Sequence, residues 1–443
     1  MDNQNVYLKP VTLKNALRFA IPTIAMTVFM SFYTMVDGLF VANLIGTSAL
    51  SAINLTAPVI QLVTAVSTML ATGGSAVIMK KMGEQKSGEA KEDFTFLILV
   101  NVLVGLIVCG LGYLVMEGIF AGMNLSADVS GYCVEYLSRY LLFTVPILLM
   151  NNFTLYMIAS GKAALSLACS VAGGVLNMVL DYVFIAVLHM GISGAAIATG
   201  MGYSVTAVTG LFVFSRQKSL LHFKKPVCRF RVLANAAANG CSEMAAALVT
   251  GIITMMFNWT MLRYVGEDGV AAVTIIMYVL MFASSLYTGY SYGVAPMLSF
   301  YFGEKNNEKL KKLCDVSLKV IGGISLVTAA ASFILTKPLV SVFARPDNPV
   351  YDLAVSGNRI CTIALFFIGF NIFASGMFTA LSNGLVSAVL AFSRSFVFML
   401  VTMAVLPMIM GVNGIWLATP GAELMALALS VFMYMKHRKM YGY

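Results

Sequence analysis

An all-α membrane fold, twelve transmembrane helices in two six-helix lobes, follows from three observations. Of the 443 residues, 59% are hydrophobic and only 11% charged, with a mean hydropathy of +0.87; a soluble chain cannot hide so much apolar surface. The chain offers about twelve runs of the roughly 20 residues needed to cross the hydrocarbon. The two halves also repeat. Gly46 and Gly266, Gly73 and Gly293, Gly83-Glu84 and Gly303-Glu304, Arg139 and Arg359, Asn151 and Asn371, and Phe153 and Phe373 each stand 220 apart. So do Gly191 and Gly411, Gly194 and Gly414, and Ala198-Thr199 and Ala418-Thr419. The register slips only near Ser160-Gly161 against Ser382-Asn383. Six spans per half is an even number, so both halves enter from one side as parallel repeats about an axis along the membrane normal.

In chain order the helices are expected at 14–43, 50–80, 94–120, 130–158, 164–188 and 192–214, then at 232–262, 270–300, 313–335, 350–378, 384–409 and 413–436. The first, second, seventh and eighth exceed one span, which tilt or projection accommodates. Pro22 falls inside the first helix, where it removes a backbone hydrogen bond and gives a kink or a hinge. The widest break, Ser215 to Val232, carries Arg216, Lys218, Lys224, Lys225, Arg229 and Arg231. It divides the chain into an N-lobe (1–214), a linker (215–231) and a C-lobe (232–443).

Orientation follows from lysine and arginine. With the N-terminus in the cytoplasm, 22 of the 28 basic residues lie inside and only Arg263, Lys337 and Arg345 outside. Both termini are then cytoplasmic in a multi-pass plasma-membrane protein, and the net charge of +9 is topological, with no nucleic acid needed to explain it. Seven scattered cysteines form neither a disulfide framework nor a CxxC pair. His189, His222 and His437 are dispersed, and the stretch Met1 to Pro10 is polar, without the short apolar core and small-residue cleavage site expected of a signal peptide.

The stretch Gly173-Gly-Val-Leu-Asn-Met-Val-Leu-Asp181 sets Asn177 and Asp181 one helical turn apart on one face. A carboxylate at mid-bilayer costs about 2.5–3.5 kcal/mol on insertion scales, so it turns inward and marks a functional candidate. At the offset of 220, Asp37 becomes Phe257, Asn177 becomes Val397 and Asp181 becomes Val401, which leaves this ionisable chemistry in the N-lobe alone. At 1.5 Å per residue, Asp37, Asp181 and Thr199 all fall about 10 Å below the outer surface. Two carboxylates, an amide oxygen and a hydroxyl suit Na⁺, a hard cation that takes oxygen ligands. They equally suit an acid pair that carries a proton. Hydrogen bonding of Asp181 and Asn177 to neighbouring helices alone is the structural alternative.

Asp37 in Met-Val-Asp-Gly-Leu-Phe-Val-Ala, preceded by Pro22, resembles the first helix of the multidrug and toxic compound extrusion (MATE) transporters. Asn177-x-x-x-Asp181 and Gly194-Ala-Ala-Ile-Ala-Thr199 resemble that family's fifth and sixth helices. The resemblance spans essentially the whole chain. It implies an antiporter, not an enzyme, in which Na⁺ or H⁺ entry drives export of organic cations through a cavity between the lobes. It also implies that the N-lobe cation site falls on Asp37, Asn177, Asp181 and Thr199. No cofactor beyond the coupling ion is expected, the partners being a small-molecule substrate and the bilayer, with the protein a monomer. Some family members carry a C-lobe acid pair, and Val397 and Val401 stand against one here. A flippase of lipid-linked saccharide, or an exporter of an anionic metabolite, is the alternative within the superfamily.

Glu243, Arg394 and Glu423 each lie about ten residues along C-lobe helices, so they meet near mid-depth as an ion-pair cluster, a cavity wall or a relay. Arg139 and Arg359 either snorkel or face the cavity and favour an anionic substrate. Tyr278, Phe282, Tyr287, Tyr290 and Tyr292 add aromatic surface to the eighth helix, either as packing or as a cation-accepting wall.

Overall fold

Long apolar runs bounded by glycine turns and charged clusters give helices, because every backbone group in lipid must be satisfied internally. A computed structural model of the chain describes the backbone of residues 5–44, 47–121, 127–217 and 219–443. The side chains of 5, 6, 37–44, 47–51, 54, 117, 119, 121, 127 and 128 are not part of that description. Gly46, Lys218 and the Asp37 side chain therefore lie outside the described residues.

The N-lobe holds α1 (Leu13–Leu44), α2 (Thr47–Gly83), α3 (Ser87–Ala121), α4 (Ala127–Leu141 with Thr144–Ala159), α5 (Ala163–Asp181, continued by a π-helical stretch Tyr182–Val187) and α6 (Gly191–Ser215). The C-lobe holds α7 (Phe230–Tyr264), α8 (Glu267–Gly303), α9 (Asn307–Ile334) and α10 (Pro349–Cys361, then Leu365–Ala380). Its last two are α11 (Gly384–Phe392, a π-helical stretch Ser393–Phe398, then Met399–Met410) and α12 (Val412–Tyr441). Among the described residues, eleven helices are long and apolar enough to span a membrane, and the two pieces of α4, bent by 54°, make a twelfth when taken as one span.

Three departures from the expected helices have local causes. The α4 bend falls at Leu142-Phe143 because Pro146 lacks the N–H that would pair with the Leu142 carbonyl, and its ring crowds that carbonyl. α3 starts at Ser87, two turns early, because Glu89 and Asp93 pair with Lys81 and so hold its charged first turns. α9 starts at Asn307 because the Asn306 side chain accepts a hydrogen bond from the Lys309 amide, 3.1 Å away.

The described N-terminal segment, the 216–229 connection and the end of α12 share one face, the linker face. There the lobes are shut. α2 and α8 cross at Gly83 and Gly303, where a Cβ on Gly83 would strike the Phe300 carbonyl and one on Gly303 the Lys80 carbonyl. Small residues are what permit backbones to approach so closely. Tyr7, fully buried, stacks on Phe300 across the seam at 4.8 Å and donates its hydroxyl proton to the Ala159 carbonyl. Nearer mid-depth, Thr27 donates to the Ser285 carbonyl (2.7 Å) and Gln61 to the Ala247 carbonyl (3.1 Å). Among the described residues, the hydrogen bonds and ring contacts between the lobes lie from mid-depth to the linker face.

The linker is docked, not slack. Leu220 and Leu221 are buried, Phe223 stacks on Phe94, and Arg229 bridges to Asp93 (2.8 Å) and Glu92 (2.9 Å).

The repeat is real, but its offset is not constant. Left-handed residues pair at 220 (Gln85 with Lys305, Gly191 with Gly411) and at 221 (Gly161 with Ser382). Buried Cys133, Tyr136, Leu137 and Tyr140 match buried Ala354, Gly357, Asn358 and Cys361, also at 221. The hydroxyl contacts of Ser166 with the Thr154 carbonyl and of Ser387 with the Ser375 carbonyl keep that offset. Gly194 meets Phe184 where Gly414 meets Leu406, which makes 184 and 406 partners at 222. The π-helical stretch of α11 precedes this point, and that of α5 surrounds it. Arg139 and Arg359 are therefore not equivalent, nor are Asn151 and Asn371, nor Phe153 and Phe373. The counterparts of Asn177 and Asp181 are the buried Met399 and Met403; Val397 and Val401 sit on the exposed face of α11.

Candidate functional site

The N-lobe site is built on a close crossing of α5 and α6. A Cβ on Gly202 would meet the Gly173 carbonyl and the Cβ of Asn177, so these glycines let α6 lie against the polar face of α5. Asn177 and Asp181 are both fully buried on that face, and Thr199 is nearly so. Asn177 Nδ2 donates to Thr199 Oγ1 at 3.3 Å. Asn177 Oδ1 is buried and has no hydrogen-bond partner among the described residues. Asp181 ends the α-helical part of α5, where the backbone loosens into the π-helical stretch, a distortion common at functional sites. α1 passes over the same helix: Gly174 lies against Phe29 and Tyr33, and Asp37 follows Tyr33 by one turn.

Three small cavities run from this site toward the C-lobe. The first is lined by Tyr33, Gly173, Gly202, Tyr203 and Thr206. It shares Met30, Met150 and Ser170 with a second, of about 130 Å³, that reaches Thr68, Asn151 and Tyr292. The second shares Leu155 and Tyr292 with a third, of about 40 Å³, lined also by Thr72, Ser75, Ser291 and Glu243. Tyr292 and Leu155 thus stand between the two lobes' polar pockets.

The C-lobe charges divide. Arg394 Nε donates to both Glu423 oxygens (2.8 and 3.0 Å), and Asn371 Nδ2 donates to the same carboxylate at 2.8 Å. Ser430 completes the group by donating to Asn371 Oδ1 at 2.9 Å. Glu243 makes no hydrogen bond or ion pair among the described residues; it lines the third cavity, within electrostatic reach of Arg394 and Tyr292. The expected three-residue cluster is therefore a tight pair with one acid left to the cavity.

Other candidates lie elsewhere. Arg139 and Arg359 are exposed, Arg359 resting over the Phe333 ring at 5.8 Å, and neither lines a described cavity. Exposure and the Phe333 contact fit the snorkelling reading, and no described cavity supports the one in which they face the substrate. Tyr287 and Tyr290 are fully buried, their hydroxyls bonded to Thr328 and the Leu365 carbonyl and to Ser317. They pack the C-lobe core, while Tyr292, two residues on and so near the opposite side of α8, reaches the cavity. Met30 and Met150 were invisible as lining residues, because their helices are apolar all round. Pro22 lies within an uninterrupted α1 and borders a linker-face cavity with Lys9 and Arg18.

Two six-helix lobes, related by repetition and enclosing a chain of polar pockets, define a membrane transporter rather than an enzyme. The chain belongs to the MatE family, whose model matches residues 22–183 and 244–405. Both ends of the matched segments differ by 222, the offset found around Asp181. The multidrug export protein MepA of Staphylococcus haemolyticus is 22% identical over 437 residues, which cover 98% of this chain and 95% of that protein. MepA of Staphylococcus aureus MRSA252 is likewise 22% identical, over 98% of this chain and 96% of its own. Among solved structures, an outward-facing MATE multidrug resistance transporter superposes with a TM-score of 0.91 at 21% identity, covering 99% of this chain and 98% of its own. A MOP superfamily transporter from Pyrococcus furiosus, described as having a binding pocket of reversed polarity, gives 0.92 at 20% identity over the whole of both chains.

Proposed function

We propose that this protein is a secondary exporter of organic, chiefly cationic, compounds that exchanges them for Na⁺ or H⁺ at Asp37, Asn177, Asp181 and Thr199. The observation that carries the reading is the buried Oδ1 of Asn177, which has no hydrogen-bond partner among the described residues and stands beside Asp181 and Thr199. A buried acceptor left unsatisfied costs about 1–3 kcal/mol; an arriving cation, or a proton taken up by a carboxylate of the site and donated to that oxygen, removes the cost. Oxygen donors of these types fit Na⁺ as readily as H⁺. The relatives named multidrug export proteins support the same direction of transport.

The linker face is cytoplasmic in this reading, so the conformation closed at Gly83 and Gly303 holds the outward-facing side of the cycle. The moving bodies are residues 1–214 and 232–443, joined through 215–231, in a monomer of the plasma membrane. An ion reaching Asp181 from outside neutralises the N-lobe acid, weakens a cationic substrate held along the cavities, and lets α1 bend at Pro22. One coupled charge crossing about 100 mV supplies about 2.3 kcal/mol, enough for roughly a fiftyfold gradient of a neutral substrate. A monovalent cation exchanged one for one draws nothing from the voltage.

The test is efflux of a cationic dye from proteoliposomes with Na⁺ and pH gradients imposed separately. One gradient should drive efflux, and Asp181→Asn should abolish it without changing the thermal midpoint. Dye movement indifferent to both gradients, or undiminished coupling in Asp181→Asn, refutes the assignment.

A further inference from the structure

The linker-face cavity beside Pro22 carries chemistry that ion-coupled export does not use. It has a volume of about 320 Å³ and lies between α1, the start of α5 and the end of α8, so it touches both lobes. Two of its lining side chains, Lys9 and Arg18, are cationic, and among the described residues no acidic one lines it. Neither cation has a carboxylate partner among the described residues, so both charges are available to an anion. The floor is apolar: Phe19, Pro22, Ala163 and Met297.

The segment that presents Lys9 is anchored. Tyr7 is buried against Phe300 and bonded to the Ala159 carbonyl. Asn15 Nδ2 donates to the Pro10 carbonyl at 2.8 Å. Lys9 is thus fixed between two tethers, so little ordering entropy is lost when an anion arrives. Beside the cavity, Leu8, Leu13 and Ile21 leave large apolar side chains exposed along the same stretch of chain. Paired cations at the membrane-water boundary, with an apolar strip leading away from them, match a phosphate that carries acyl chains better than a free ion.

We propose that this cavity binds the headgroup of an anionic phospholipid, with Lys9 and Arg18 on its phosphate and the acyl chains along Leu13 and Ile21. Because Met297 belongs to the C-lobe and the rest of the cavity to the N-lobe, the bound lipid bridges the seam and favours the state closed at the linker face. It also sits against Pro22, where any bending of α1 has to displace it.

The experiment is native mass spectrometry of the full chain in neutral detergent with equimolar phosphatidylglycerol and phosphatidylcholine. The wild type should retain phosphatidylglycerol preferentially. Lys9→Gln and Arg18→Gln should each weaken retention about fivefold, which is the roughly 1 kcal/mol contributed by a basic residue at an anionic surface. Neither side chain makes a hydrogen bond among the described residues, so both variants should fold normally, as thermal midpoints will record. Lys337→Gln and Arg345→Gln, exposed on the opposite face, remove the same charge and should leave retention unchanged. Inorganic phosphate at millimolar concentration should not displace the lipid. Retention unaltered in the Lys9→Gln/Arg18→Gln double variant, or lost equally in the far-face controls, overturns the site. Displacement by inorganic phosphate overturns the lipid in favour of a free anion.

Discussion

The two lobes descend from one repeat, yet each buries a carboxylate differently. In the C-lobe, Glu423 is gripped by Arg394 and Asn371, with Ser430 behind them. In the N-lobe, Asp181 shares its face with Asn177, whose carbonyl oxygen is buried without a partner among the described residues, and with the hydroxyl of Thr199. The C-lobe group is internally neutral and complete; in the N-lobe group the Asn177 carbonyl oxygen can still accept, as far as the described residues go. The two acids stand at unrelated positions of the repeat: Glu423 works as a structural rivet, and in the proposed reading Asp181 is where the ion arrives. Glu243 belongs to neither type, since it faces the cavity between them.

Breaking the rivet should have the largest effect on stability. Arg394→Met leaves Glu423 buried and uncompensated, which costs about 3–5 kcal/mol, so the thermal midpoint should fall sharply. Adding Glu423→Gln should restore most of the loss, because a neutral amide still accepts from Asn371 and needs no guanidinium. If the single and double variants melt alike, the pair is not what holds α11 to α12. The corresponding N-lobe change, Asp181→Asn, should instead leave the midpoint alone and remove coupling.

Thr199→Val sharpens the contrast by a smaller step. It deletes the hydroxyl that meets Asn177 Nδ2 and one oxygen of the proposed ion site. Losing about 1.4 kcal/mol of ligation weakens the apparent affinity for the driving ion tenfold, read from the ion dependence of efflux. A purely structural role would lower the melting midpoint and leave that affinity untouched.

Much of this was legible in the sequence because lipid imposes strong rules. Hydropathy and glycine punctuation set the helices, and the isolation of Asp181 among apolar residues singled out α5. The duplication correctly left the C-lobe without acids at the matching positions. What escaped was whatever depends on helical phase. The bend at Pro146 looked like one continuous helix because its hydropathy never drops. Arg139 and Arg359 stayed open between snorkelling and the cavity because a window average cannot show which side of a helix a residue occupies. Tyr290 and Tyr292 looked alike, although two residues carry a helix more than half way round. The constant offset failed because π-helical stretches and loops each add or remove one residue, and no composition signal marks them.

That failure of register supplies the smallest and most discriminating effect. At a constant offset of 220, Val397 and Val401 are the C-lobe counterparts of Asn177 and Asp181, and so would point into the lobe. The structure turns them outward: they are 39% and 46% exposed, whereas Met399 and Met403 are 8% and 5% exposed. The glycine contacts at Phe184 and Leu406 give the reason, since they fix the offset at 222 on this stretch. Trimming a side chain that faces lipid opens no cavity and strands no polar atom, so Val397→Ala and Val401→Ala should each stay within about 0.5 kcal/mol of the parent. Met403→Ala removes packed atoms from the lobe interior and should cost about 2 kcal/mol or more. Thermal midpoints of the three variants in one detergent decide the matter. A Val401→Ala loss equal to that of Met403→Ala would restore the constant offset and return the valines to the inner face of α11. Coupling should survive in all three, because no member of this trio supplies an oxygen to the ion.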